Sequence, residues 1–327
     1  MDYLSANAMP WLAASQQKLR DSFAAGRMPH SLLLVSPSGL GALPLAHWIT
    51  AFALCDSTAD RPCGLCASCQ LLRADSHPDV HAVGLEEKAQ QIKIEQVREL
   101  IESLALKSYR GGYKVGLIES AEALNTHSAN AFLKTLEEPG AQTLLIMIAK
   151  PAHRLPATIA SRCVRLALRA PAPQMARTWL QANAAPQPSW DTALELAGGA
   201  PLLAMQLDAA ALASLDAEMQ ASMSQLAAGS VDISLLAEHW LRSDPELRVH
   251  WLENWITRRV QAALAGPNSP QSAEPVRLPA ALLKAKIRPL FELLDAARDY
   301  RRLAVTGLNQ QLALEALLVG GRTALAK

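Results

Sequence analysis

The sequence predicts an α/β domain built on a parallel sheet, followed by an all-helical region. Two observations carry this. Residues 1–167 alternate five short apolar runs with helical patterns, and that alternation is the signature of a parallel sheet covered by helices. From about residue 209 onward only helical periodicity is found. The expected organisation is therefore an α/β domain at about 1–167, a small helical unit at about 168–208 and a helical domain at about 209–327.

The apolar runs are Leu32–Val35, Val80–Val83, Val115–Ile118, Leu144–Ile148 and Val164–Leu168. The first and fourth are apolar on both faces, as central parallel strands must be. Between the runs lie helix candidates. Glu95–Leu106 puts Val97, Leu100, Ile101 and Leu104 on one stripe. Asn125–Glu138 ends where Pro139 forbids continuation. Pro171, Pro173, Pro186 and Pro188 punctuate the next stretch, and Gly198-Gly199 marks a turn. Further on, Leu247, Trp251 and Trp255 recur at four-residue spacing, a face expected to be helical core. Ala265–Ala280 carries four prolines among polar residues and reads as a loop. Asn309–Val319 reads as a capped amphipathic helix.

Composition narrows the function classes. Half of the 327 residues are apolar, 19% are charged and the formal net charge is +1. A chain that bound DNA alone through phosphate neutralisation is expected to be more basic, so any DNA contact is expected to be shared with partners. No stretch approaches the ~20 apolar residues of a membrane helix, and Met1–Leu19 lacks the layout of a signal peptide. The expectation is a cytoplasmic protein with no membrane contact, whose thiols stay reduced.

Four of the five cysteines fall within fifteen residues: Cys55, Cys63, Cys66 and Cys69, spaced C-x7-C-x2-C-x2-C. Four thiolates can close a tetrahedral shell around Zn²⁺, leaving no open position, so a structural zinc is expected, one per chain. A redox pair and an iron–sulfur cluster are the rivals. The short gaps resemble ferredoxin spacing, but Cys69 is followed by Gln70 and not by proline. Cys163, far away in sequence, is expected to be core.

After the first apolar run comes Ser36-Pro37-Ser38-Gly39-Leu40-Gly41-Ala42-Leu43. A working phosphate loop reads G-x-x-x-x-G-K-[ST] between a strand and a helix. Here Ser36 replaces the first glycine, Ala42 the lysine and Leu43 the hydroxyl that holds Mg²⁺. On its own, a lone G-L-G is better explained as a plain strand–helix turn. The run Lys114–Ile118 then ends in Glu119-Ser120, where an ATPase of this class carries Asp-Glu. The carboxylate that polarises water is missing.

A resemblance now becomes specific. Ala129-Asn130-Ala131-Phe132-Leu133-Lys134-Thr135-Leu136-Glu137-Glu138-Pro139 is similar to the N-A-L-L-K-T-L-E-E-P signature of bacterial clamp-loader subunits, which belong to the AAA+ class. Leu155-Pro156-Ala157-Thr158-Ile159-Ala160-Ser161-Arg162-Cys163 resembles their L-P-x-T-I-x-S-R-C segment. Ile94–Leu100 and Gly111–Val115 also match, and the cysteine knuckle follows the phosphate-loop helix as in other members. The motif-level likeness spans roughly residues 26–168; beyond that it is one of layout, including a Gly307-Leu308-Asn309 turn near the end.

The resemblance implies an AAA+ P-loop-type domain at 1–167, a helical lid at 168–208 and a helical collar at 209–327 that joins a five-membered ring. The implied partners are the tau/gamma ATPase subunits, the delta subunit and, through the complex, the sliding clamp and primed DNA. ATP-binding members keep the loop lysine, the Asp-Glu pair, a polar sensor residue and a lid arginine after a glycine. This chain has Ala42, Glu119-Ser120, Ala149-Lys150 and Gly199-Ala200-Pro201-Leu202 instead. No bound ATP is expected, while the retained Ser161-Arg162-Cys163 resembles the turn that presents an arginine to a neighbour's ATP. Against that stands an arginine merely holding a strand end. Glu137 and Glu138 are expected to be a solvated helix terminus. The histidines, including His77, His81, His127 and His153, lack paired ligand spacing. An ATPase with an unusual loop and a zinc-dependent DNA-binding module remain as rivals.

Overall fold

A computed structural model describes residues 3–86, 89, 91–150, 155–185, 190–265, 287–303 and 309–325. Most of the Ala265–Ala280 stretch, Pro186, Pro188, His153 and the Gly307-Leu308 part of the turn lie outside the described residues. The chain divides into two compact units. The first comprises Met1–Ala185 with Gly199–Met205, the second Pro186–Gly198 with Gln206–Lys327.

The first unit is built on five parallel strands: β1 (Ser31–Val35), β2 (Val80–Val83), β3 (Lys114–Ile118), β4 (Thr143–Ala149) and β5 (Val164–Ala167). Their spatial order is β2-β3-β4-β1-β5. Leu32 pairs with Ile146 on one side and Val164 on the other. The sequence fits this order. β1, β3 and almost all of β4 are buried, whereas the edge strands β2 and β5 are mostly half-buried or exposed. Strands covered on both faces need mostly apolar residues, and these three have them after a single buried polar residue at the start of each, Ser31, Lys114 and Thr143.

Helices α1 (Ala13–Ala24), α2 (Ala42–Leu54), α3 (Ala67–Arg73), α4 (Ile94–Ala105) and α5 (Thr126–Glu137) connect and cover the strands. α4 buries Val97, Leu100 and Leu104, and the Gln96 side chain accepts from the Lys93 amide at 2.9 Å to close its first turn. α5 opens on Asn125, whose Oδ1 accepts from the Ser128 amide at 2.8 Å, and buries Ala129, Phe132 and Leu136. Such a cap satisfies an amide that has no partner within the helix. The unit continues through α6 (Ala157–Ala160) and α7 (Pro173–Asn183).

Of the segment 190–205, α8 (Trp190–Leu196) belongs to the second unit and α9 (Pro201–Ala204) to the first. The second unit is helical in every described element: α10 (Ala209–Ala228), α11 (Ile233–Arg242), α12 (Pro245–Ala265), α13 (Arg288–Leu303) and α14 (Gln310–Leu325). Trp251 is fully buried and stacks on half-buried Trp255, with ring centroids 6.1 Å apart. Arg248 is buried beside them in sequence, held by Glu218 at 2.8 Å and by the Ser243 carbonyl at 2.8 Å. A buried guanidinium is tolerated only with such partners. Asn309 caps α14, accepting from the amides of Gln311 and Leu312. No helix of the described residues is long and apolar enough to cross a membrane.

Candidate metal centre, phosphate loop and arginine turn

α2 delivers Cys55 at its C-terminal end, and Cys66 caps the short helix α3, which carries Cys69 inward. The four sulfurs of Cys55, Cys63, Cys66 and Cys69 lie within 4.8 Å of one another. Cys55 and Cys66 are 3.9 Å apart. A tetrahedral shell with Zn–S near 2.3 Å puts its sulfurs about 3.8 Å apart, so the cage fits such an ion. Backbone amides add to the fit. Those of Cys63, Cys66 and Cys69 each donate to the preceding cysteine's sulfur at 3.4 Å. The thiols are poised unequally. Burial pushes Cys69 up to about 12 and also raises Cys55, whereas the amides of Leu65 and Cys66 bring Cys63 down to about 6. A dication supplies the opposite charge that favours all four as thiolates. Cys163 lies outside this cluster, half-buried against the sheet's core and hydrogen-bonded to the Ile159 carbonyl and Ser31.

The knuckle is braced from two directions. The Tyr3 hydroxyl donates to the Cys69 carbonyl at 3.1 Å. Asp56 accepts from the Ser68 hydroxyl and from Arg110, each at 3.2 Å. Burial alone would raise the Asp56 carboxyl; the Ser68 hydrogen bonds and the Arg110 charge outweigh it and hold it low. Among the histidines, His77 is buried and its Nδ1 accepts from the Asp79 amide.

The phosphate loop follows β1 and opens α2, as its sequence position requires. Gly39 and Gly41 both have positive φ, 79° and 83°. Their use differs from a nucleotide cradle's. A Cβ on Gly39 would stand 2.5 Å from that of Leu203, and the Leu202 amide donates to the Gly39 carbonyl at 3.1 Å. A Cβ on Gly41 would stand 2.7 Å from the Met9 sulfur. Trp11 Nε1 donates to the Leu40 carbonyl at 2.9 Å. Both glycines are thus needed for close approach of the protein's own chain, from the N-terminal segment and from α9. Ser36 sits buried with its hydroxyl on the Pro37 carbonyl, and Leu43 is exposed. No cation or hydroxyl stands at positions 42 and 43. At the end of β3, Glu119 leans against Gly84, with Oε2 3.3 Å from where a Cβ there would sit. Gly84 follows β2, so the carboxylate is turned away from the β4–β1 side of the sheet.

Arg162 lies at the other edge of the sheet. β5 runs parallel to β1 with Val164 level with Leu32, so the Arg162 turn is beside the start of β1 and the phosphate loop beyond its end. Four strand residues, about 13 Å, separate Leu32 from Ser36. Arg162 Nε donates to Glu137 Oε1 at 2.8 Å, and Nη2 approaches the same oxygen at 2.5 Å. Nη1 donates to the Thr158 carbonyl at 2.9 Å. Glu137 is therefore not only a solvated terminus, as expected from sequence; it is the partner of Arg162. The Arg162 side chain remains 35% exposed.

A family model described as "DNA polymerase III, delta subunit" matches residues 12–172, the stretch that contains the knuckle, the loop and Arg162. DNA polymerase III subunit delta' of Pseudomonas aeruginosa is 32% identical over 322 residues, 96% of this chain and 97% of that one. The chain belongs to the delta-prime family of DNA polymerase III subunits. The delta-prime subunit of Escherichia coli K12 is also 32% identical, across 95% of this chain and 94% of its own. DNA polymerase III subunit tau of Salmonella typhimurium is 31% identical over 153 residues, 46% of this chain but 23% of that one. These two delta-prime relatives thus match this chain over nearly its whole length, and tau over less than half of it. The fold is an α/β domain on a five-stranded parallel sheet with helical regions. Two features of this delta-prime chain were missed from sequence: the packing of Met9, Leu202 and Leu203 on the loop glycines, and the role of Glu137. A signal for the second existed, since a carboxylate in a helix's last turn opposes the dipole and is better placed with an external cation.

Proposed function

We propose that this chain is the non-hydrolysing subunit of a DNA polymerase III clamp loader, a partner of tau/gamma ATPases and the delta subunit. Through that complex it acts on the sliding clamp and primed DNA. It receives no ATP of its own and gives Arg162 to the ATP of a neighbouring subunit. The observation that carries this reading is the separation of its two edges. One end of the sheet has a loop without lysine or hydroxyl, its glycines committed to the protein's own chain. The other end holds a partly exposed arginine more than a strand's length away, which therefore faces a neighbour and not its own loop.

The chemistry follows from charge. Phosphoryl transfer spreads negative charge over the γ-phosphate oxygens, and a guanidinium delivered from outside stabilises it without adding a reactive group. Losing the lysine and the Mg²⁺ ligand together removes most of the attraction that would hold a triphosphate. The four cysteines hold one structural zinc, closed to substrate by its full shell. In this reading residues 168–208 serve as the lid, with α8 grouped with the helical unit, and 209–327 as the collar that joins the ring.

Equilibrium dialysis of the isolated chain with Mg-ATP tests the receiving half of this reading. No saturable site is expected at micromolar concentration, roughly −8 kcal/mol of binding. Tight binding with turnover contradicts it and restores an ATPase with an unusual loop.

A further inference from the structure

Arg162 does not project freely from the sheet edge. All three of its guanidinium nitrogens have partners. Oε1 of Glu137 takes Nε at 2.8 Å and Nη2 at 2.5 Å. Nη1 turns the other way, onto the Thr158 carbonyl at 2.9 Å and the Ser161 hydroxyl at 3.4 Å. Contacts on both sides fix the plane of the group. The turn beneath is fixed too, because Cys163 donates to the Ile159 carbonyl and accepts from Ser31 at the start of β1.

Glu137 gains nothing from its own helix, whose last turn disfavours a negative charge. It does supply orientation to a side chain with four rotatable bonds. An arginine that must meet a developing charge across a subunit boundary loses rotamer entropy in doing so. Holding it in place beforehand removes that loss, and small misplacements of such groups are costly to rate. Neutralisation of the arginine by its partner is weak, since both side chains are partly exposed and water screens the pair.

We propose that Glu137 is the positioning residue of Arg162, setting the plane and direction in which the guanidinium meets a triphosphate on the adjacent subunit. This rests on the reading of Arg162 as an arginine given in trans. Glu137 touches no nucleotide itself. It acts through Arg162 alone, so its removal matters only while Arg162 is present.

The test uses the reconstituted loader with clamp and primed DNA, measuring kcat and KM for ATP, assembly and the thermal midpoint. Glu137→Ala is expected to lower kcat roughly fivefold at unchanged KM. Added to Arg162→Ala it should lower kcat no further. Glu137→Gln, which keeps an acceptor at the same reach, should recover at least half of the lost rate. Glu137→Asp, which keeps the charge but withdraws it by a methylene, should fall between Ala and wild type. Glu138→Ala, at the exposed neighbouring carboxylate, should match wild type. Should Glu137→Ala fail to assemble, the Gln and Asp variants carry the same comparison. Wild-type kcat in Glu137→Ala alongside a deficient Arg162→Ala overturns the inference alone, as does an independent further loss in the double variant. Wild-type kcat in Arg162→Ala overturns the reading beneath it.

Discussion

The two ends of the sheet have been treated differently by this sequence. At the end where β1 meets α2, the lysine, the metal-binding hydroxyl and the water-polarising carboxylate are replaced by Ala42, Leu43 and Ser120. The loop persists there as a packing element, with Leu203 and Met9 against its glycines. At the opposite end, Arg162 keeps three hydrogen bonds to three residues, adds an ion-pair contact to Glu137 and stays partly exposed. In the proposed function, receiving a nucleotide and giving an arginine are tasks of opposite ends of the sheet. One can decay while the other is kept, because no side chain serves both.

Substitutions at the two ends should register in different quantities, stability at the loop and hydrolysis at Arg162. The largest effect is expected outside both edges, as a reference. Cys66→Ser should abolish stoichiometric zinc by elemental analysis and cost about 3 kcal/mol or more of stability, because metal binding is linked to folding. Gly39→Val comes next. It forces a β-branched residue to φ 79° and into Leu203, so denaturant unfolding should show a loss of about 3 kcal/mol. Loader assembled from the surviving folded protein should hydrolyse ATP normally. Leu203→Ala, at a half-buried contact, should cost about 1–2 kcal/mol by the same measurement, again with normal hydrolysis. The smallest stability effect belongs to Arg162→Ala. Its pair with Glu137 is partly exposed, so unfolding should shift by less than about 1 kcal/mol. A large loss of stability there, or of hydrolysis from Gly39 or Leu203 variants, would erase the distinction between the edges.

Much of this was legible in the sequence. All five apolar runs became strands; the central ones were the plainest, because strands covered on both faces need nearly unbroken apolar residues and few other elements do. Asn125 and Asn309 announced helix starts through a local hydrogen bond that needs no tertiary context. The gathering of the four cysteines was legible for the same reason, since they lie within fifteen residues. What escaped was non-local. Glu137 and Arg162 are twenty-five residues apart, and only the parallel order of the strands brings the end of α5 to the start of β5. Met9 and Leu203 meet the loop from opposite directions along the chain. Arg248 gave no sign of burial, because nothing in its neighbourhood pointed to Glu218, thirty residues earlier. The segment 190–205 also divides between units in a way its prolines and glycines did not foretell.

In the proposed function this chain gives an arginine and takes no nucleotide. The most direct test is the steady-state ATPase rate of loader reconstituted with Arg162→Ala, in the presence of clamp and primed DNA. The rate should fall roughly tenfold, less than the thousandfold or more lost where a single arginine serves a single site, because other subunits keep theirs. Assembly should be unchanged, and Lys at position 162 should restore little, since a point charge does not reproduce the planar fork. A rate equal to wild type from a fully assembled complex would contradict the account and leave Arg162 as the anchor of a strand end.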